Sequence, residues 1–190
     1  MIRLPLAVAF VVATSPAAWA VDANGAMQAY YDASIAGWAT DPVLLDAIAH
    51  QNQTTAGYDA ATIEAMDQAW RAEVGAPDSP TIDPVVQHPA SEFLRARVAE
   101  SGGTITEIFV MDAVGLNVAS SGMTSDYWQG DEEKFSETYG AGAGAMHFSE
   151  IEFDESSQSY QAQISFTLTD PATGDPIGAM TVGVNAESLM

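Results

Sequence analysis

The side chains able to do chemistry are few, and their spacing excludes most reactions. His50, His88 and His147 stand far apart, with no second His at i+4 and no Glu placed as a zinc site requires. There is no cysteine, which removes disulfides, thiol catalysis and zinc–thiolate sites together. Ser120 and Ser121 have neither a glycine elbow nor a nearby histidine, so they do not form a recognisable hydrolase triad. Asp131-Glu132-Glu133 and the turn from Asp170 to Asp175 lack the alternating ligands and closing Glu of a calcium loop. The pattern points to binding and not to catalysis, with no cofactor and no resident metal expected.

Charge narrows the choice of partner. The chain carries 26 Asp and Glu against 5 Lys and Arg, a net charge of −21. Such a surface repels phosphate backbones and anionic lipid, so neither nucleic acid nor a membrane surface is an expected partner. The excess carboxylate either keeps the protein soluble or attracts a cation. From Val98 onward the only cationic side chain is Lys134. An anionic ligand needs charge-assisted donors to offset its desolvation, so a neutral or cationic ligand suits this half better.

Residues 1–20 read as a signal peptide, with Arg3, an apolar run from Leu6 to Ala13 and the small-x-small site Ala18-Trp19-Ala20. The run is too short to span a bilayer, and no later stretch is long enough. Residues 21–190 are then one periplasmic or secreted domain with no membrane span after cleavage.

The domain is helical first and stranded later, which implies an α+β fold. Met27, Tyr31, Ser34 and Trp38 form one face of a long amino-terminal helix, about Asp22 to Ala39. This stripe, with Tyr30, either covers the sheet or forms a homodimer surface. Asp41-Pro42 and Asp59 read as N-caps of two further helices. The first places Leu45, Ile48 and Asn52 on one face; the second places Ile63, Met66 and Trp70. The proline-rich stretch from Gly75 to Pro89 should be irregular, and Pro89 opens a helix stopped by Gly102-Gly103. Ile105 to Ser121 predicts two strands joined at Gly115, with Ile105, Phe109 and Met111 on one face. Asp131 to Tyr139 predicts a short helix in an insertion. Three strands follow, at His147–Phe153, Tyr160–Leu168 and Ile177–Val184, and DPATGD is a turn between the last two.

Three segments carry a family resemblance: FVMDAVGLNVASS, the insertion SDYWQGDE from Ser125 to Glu132, and the ending TDPATGDPIGAMTVGVNAESL. In this order, behind a long helix, they resemble a single Cache domain, a PAS-like sensor. The resemblance implies helices packed on a five-stranded antiparallel sheet over 21–190. It also implies a ligand held between one sheet face and the insertion crossing it. On that analogy the first strands contribute Asp112, Asn117, Ser120 and Ser121. The insertion contributes Tyr127, Trp128 and Asp131, and the polar face of a later strand contributes Gln161 and Gln163. Each has a plainer reading: Trp128 as a plug pinning the insertion, Asp112 as a cap on the turn at Gly115, and the glutamines as solvent-facing. The arginine motif that clamps amino-acid carboxylates in some Cache domains is not evident.

The resemblance implies a small-molecule sensor module. With a cleaved leader and nothing after Met190, it would act through a partner: a membrane receptor, kinase or transporter. The alternative is a structural or assembly protein that uses the same fold without a ligand.

Overall fold

Packing begins with a helix that changes pitch part-way along. A computed structural model describes residues 17–154 and 159–189. Most of the expected signal peptide therefore lies outside the described residues, and Ala17 to Ala20 already belong to the first helix. Helix α1 spans Ala17–Tyr30, a π turn follows over Tyr31–Ile35, and α2 closes the run at Ala36–Ala39. The wider π turn brings Met27, Tyr31, Ile35 and Ala39 onto the sheet-facing side. Ile35 is fully buried where the regular spacing predicted Ser34, which is exposed. Tyr31 meets Phe166 edge-on at 4.8 Å, so the predicted stripe covers the sheet.

The caps expected from sequence are formed. The Asp41 carboxylate accepts from the Val43 amide at the start of α3 (Pro42–Thr55). Asp59 does the same for Thr62 in α4 (Ala60–Glu73). Within the proline-rich stretch a one-turn helix, α5 (Asp83–Val86), forms where only irregular chain was expected. Pro84 suits its first turn, because proline lacks the amide that would be unpaired there. His88 caps α6 (Pro89–Glu100), its Nδ1 accepting from the Ala90 amide at 3.1 Å.

The sheet contains β1 (Ile105–Met111), β2 (Asn117–Ser120), β3 (Met146–Phe148), β4 (Glu152–Asp154), β5 (Ser159–Thr169) and β6 (Pro176–Asn185). Every pairing is antiparallel, in the order β2-β1-β6-β5-β3, and β4 also pairs with β5. The strand expected over His147–Phe153 is thus two short pieces in succession along one edge of β5, giving five positions and a PAS-like order. Helix α7 (Glu133–Ser136) lies in the insertion between β2 and β3, inside the segment predicted to be helical.

One sheet face packs on the helices. Ile108, Val110, Ile164, Phe166, Met180 and Val182 meet Met27, Ile48 and Leu94 there. Ile105 joins this core although its parity placed it with Phe109 and Met111. A bulge between Ile105 and Glu107 accounts for the switch, because an extra residue inverts the side-chain alternation. Phe109 and Met111 occupy the opposite face with Ala179, under Phe135 of the insertion.

The β1–β2 turn requires glycine twice over. Gly115 has φ +87°, and a Cβ there would lie 2.7 Å from the Gly130 Cα. Gly115→Ala combines left-handed strain with a backbone clash and should destabilise the protein by about 3 kcal/mol. Urea denaturation checks this; a loss below about 1 kcal/mol would show that the insertion can move away from the turn.

Candidate functional site

The face turned away from the long helix carries Glu107, Phe109 and Met111 from β1, and Gln163, Ser165 and Thr167 from β5. Polar side chains on this face pair across the strands. Ser165 and Thr181 share a hydrogen bond at 3.0 Å, and Gln163 Nε2 donates to Glu107 Oε1 at 3.2 Å. At one end of the sheet, Thr106 Oγ1 donates to Gln161 Oε1 at 2.8 Å. Helix α7 crosses the face, with Phe135 buried beside Phe109, Met111 and Ala179 and stacked on Tyr139 at 5.1 Å. Lys134 stands 5.3 Å over the Phe109 ring.

Beside α7 the face opens into a cavity of about 910 Å³. Its wall is unusually acidic, with Asp131, Glu132, Glu133, Glu150 and Glu152 facing Lys134 and His147. Lys134 is already committed: its Nζ sits 2.9 Å from Glu132 Oε2 and donates to Gln129 Oε1 at 3.3 Å. His147 Nε2 lies 3.9 Å from Glu133. Ser149, in the gap between β3 and β4, accepts from the Gln163 amide through its hydroxyl at 2.8 Å. This bond carries the backbone across the interruption in the edge strand.

The cavity gathers three of the nine side chains singled out from sequence: Asp131, Gln161 and Gln163. The other six lie outside its wall and have protein partners. Asp112 is buried, and its Oδ1 accepts from the Val114 and Leu116 amides at 3.0 Å. Its Oδ2 accepts from Gln51 Nε2, also at 3.0 Å. Asn117 donates to Thr124 Oγ1 and to the Asp126 carbonyl. Ser120 is buried, and its backbone amide donates to Ser91 Oγ at 2.8 Å. Ser121 Oγ accepts from the Ile108 amide. Trp128 donates its indole N–H to the Val114 carbonyl at 2.9 Å, and Tyr127 stacks on Trp70 at 4.9 Å with the rings 6° from parallel.

Helix α4 holds the start of the insertion. Asp67 Oδ1 accepts from the amides of both Tyr127 and Trp128, at 2.9 and 3.0 Å. Arg71 bridges Asp67 at 2.6 Å and Asp126 at 3.1 Å, and Trp70 donates its indole N–H to the Thr124 carbonyl. Burial pushes the Asp67 carboxyl up, but the bonds from Arg71 and the two amides outweigh it and hold the group below its ordinary 3.8. Sequence reasoning missed Asp67 because the two amides it accepts from lie about sixty residues away, and its one local partner, Arg71 at i+4, is an ordinary helix ion pair.

The sequence matches no family model and no curated protein. Solved structures similar to it include three sensor domains. One is the sensory domain of the Campylobacter jejuni chemoreceptor Tlp3 with isoleucine bound, 10% identical at a TM-score of 0.41, over 93% of this chain and 66% of that one. Another is the ligand-binding domain of the Pseudomonas fluorescens chemoreceptor CtaA with L-alanine, 14% identical at 0.41, over 90% and 57%. The third is the V. cholerae histidine kinase DctB sensor domain, 13% identical at 0.39, over 90% and 58%. This chain spans two thirds or less of their length. These neighbours are the sensory or ligand-binding domains of two chemoreceptors and the sensor domain of a histidine kinase. Among the described residues no helix is long and apolar enough to cross a membrane.

Two substitutions test the latch. Asp67→Ala strands two amides and should cost about 2–4 kcal/mol, whereas Asp67→Asn keeps one acceptor and should cost about 1 kcal/mol. A carboxyl whose folded pKa is depressed stabilises fully above its unfolded value and loses that contribution as pH falls through the folded one. Wild type should therefore lose more stability than Asp67→Asn as pH drops below 3.8. Equal slopes in acid denaturation would remove Asp67 from this role.

Proposed function

We propose that the protein is a small-molecule-binding sensor module of the Cache type, with its ligand lodged in the acidic cavity under the insertion. The observation that carries this reading is the cavity wall, which has five carboxylates while its one lysine is already paired. A volume of about 910 Å³ falls within the range of small-ligand sites. An anion entering it would lose hydration and find no free cationic donor. A cation would gain from the carboxylates, and the Phe148 and Phe153 rings offer apolar and cation–π contact. Gln161 and Gln163 supply amides that can orient a neutral polar ligand. The module acts through a membrane receptor, kinase or transporter, by binding and not by catalysis, from the periplasm or outside the cell.

Ligand binding raises the melting temperature by mass action. In a panel of small molecules, amines, quaternary ammonium compounds and neutral polar molecules should stabilise the protein more than dicarboxylates do. A ligand at a hundred times its Kd should raise the melting temperature by roughly 5–10 °C. Asp131→Asn combined with Glu150→Gln should weaken an amine about tenfold. Stabilisation by carboxylates alone, dependent on Lys134, would overturn the charge assignment.

A further inference from the structure

A second cavity, of about 460 Å³, lies on the helical side among α3, α4 and α5, next to Val118 of β2. Its chemistry is the reverse of the first. In a chain with 26 Asp and Glu, its wall contains no carboxylate, and it contains two of the three histidines, His50 and His88. Met66, Pro84, Val85 and Val118 supply apolar surface. Several polar groups on the wall already donate elsewhere: Gln51 to Asp112, Thr55 to the Gln51 carbonyl and Thr81 to Glu73. Among the described residues the hydroxyls of Tyr58 and Tyr127 make no hydrogen bond. Burial, with contributions from Asp112 and Tyr58, pushes Tyr127 up to about 12, so it keeps its proton at any physiological pH. His88 Nδ1 is occupied by the Ala90 amide, which places the neutral ring's proton on Nε2. Burial, then the nearby His50, depresses His88 below its ordinary 6.5 and favours that neutral form.

Charge decides which ligand such a wall accepts. A carboxylate would be desolvated without a cationic partner and would feel the field of Asp112 behind Tyr127. An ammonium would find no carboxylate on the wall to replace its hydration. We propose that this cavity is a second binding site, for a small uncharged molecule with an apolar body and a hydrogen-bond-accepting carbonyl. Tyr58, Tyr127 and His88 donate to that acceptor. The site is separate from the acidic cavity, and its occupancy does not depend on what binds there.

Three probes of one size make the test: acetophenone (uncharged acceptor), benzoate (anion) and benzylamine (cation), titrated calorimetrically into the intact protein near pH 7.5. Acetophenone should bind saturably, and at least about tenfold more tightly than benzoate; benzylamine held in the acidic cavity should weaken with Asp131→Asn and be unmoved by the donor deletions below. Tyr127→Phe retains the stack on Trp70, and His88→Asn retains an acceptor to cap α6, so both should fold with unchanged circular dichroism. Each should weaken acetophenone about fivefold to tenfold by removing one donor; Tyr58→Phe, on a half-exposed ring, provides a third and structurally safer variant. Asp131→Asn, in the other cavity, should leave acetophenone binding unchanged. Three results would overturn the proposal: no saturable binding of acetophenone, binding of benzoate equal to or tighter than that of acetophenone, or acetophenone affinity unmoved by the donor deletions. The amine panel on the acidic cavity is read separately, so either site can fail alone.

Discussion

The carboxylate of Asp67 determines where the insertion begins, and the acidic cavity depends on that position. Two consecutive backbone amides, of Tyr127 and Trp128, end on one oxygen of a helical side chain. Paired amides of this kind have no sheet partner, and without an acceptor they would be costly to exclude from water. Arg71 fastens the same carboxylate to Asp126, and Trp70 closes the contact through the Tyr127 ring. Once this point is fixed, the chain has only a few residues before α7, so Lys134 and Phe135 must lie across the sheet.

A second set of contacts joins the helical layer to the β1–β2 turn. Gln51 and Asn52 are neighbours on α3, and each reaches the turn: Gln51 through Asp112, and Asn52 by accepting from the Ala113 amide at 2.8 Å. Asn52 also donates to the Ile177 carbonyl at the start of β6. One helical turn thus fixes two strands, and Asp112 is fully used within this network. Buried polar networks of this kind fix geometry when every member is satisfied.

Where the information was local, the sequence was readable. Asp41-Pro42, Asp59, Pro89 and Gly102-Gly103 marked helix ends through bonds made within a few residues, and the structure contains them. The alternation in β5 and the turn at Gly115 belong to the same class. The misreadings arose where one residue changes the register: the π turn that replaces Ser34 with Ile35, and the bulge that moves Ile105 to the other face. Neither is visible to a fixed period. The site was partly legible for the same reason. Gln161 and Gln163 followed from strand alternation and Asp131 from the insertion, whereas Lys134, His147 and Ser149 join the cavity only through pairing of β3 with β5 and the crossing of α7.

Lys134 is the only lysine in the chain, and its ammonium lies against the Phe109 ring at the edge of the acidic cavity. Any amine-reactive reagent therefore has a single side-chain target. Its side chain is only 16% exposed, so acylation must wait for the insertion to lift or for the Glu132 pairing to break. The protein thus has a single side-chain label, distinct from the α-amine, whose rate of modification follows local opening at the cavity, without an introduced cysteine.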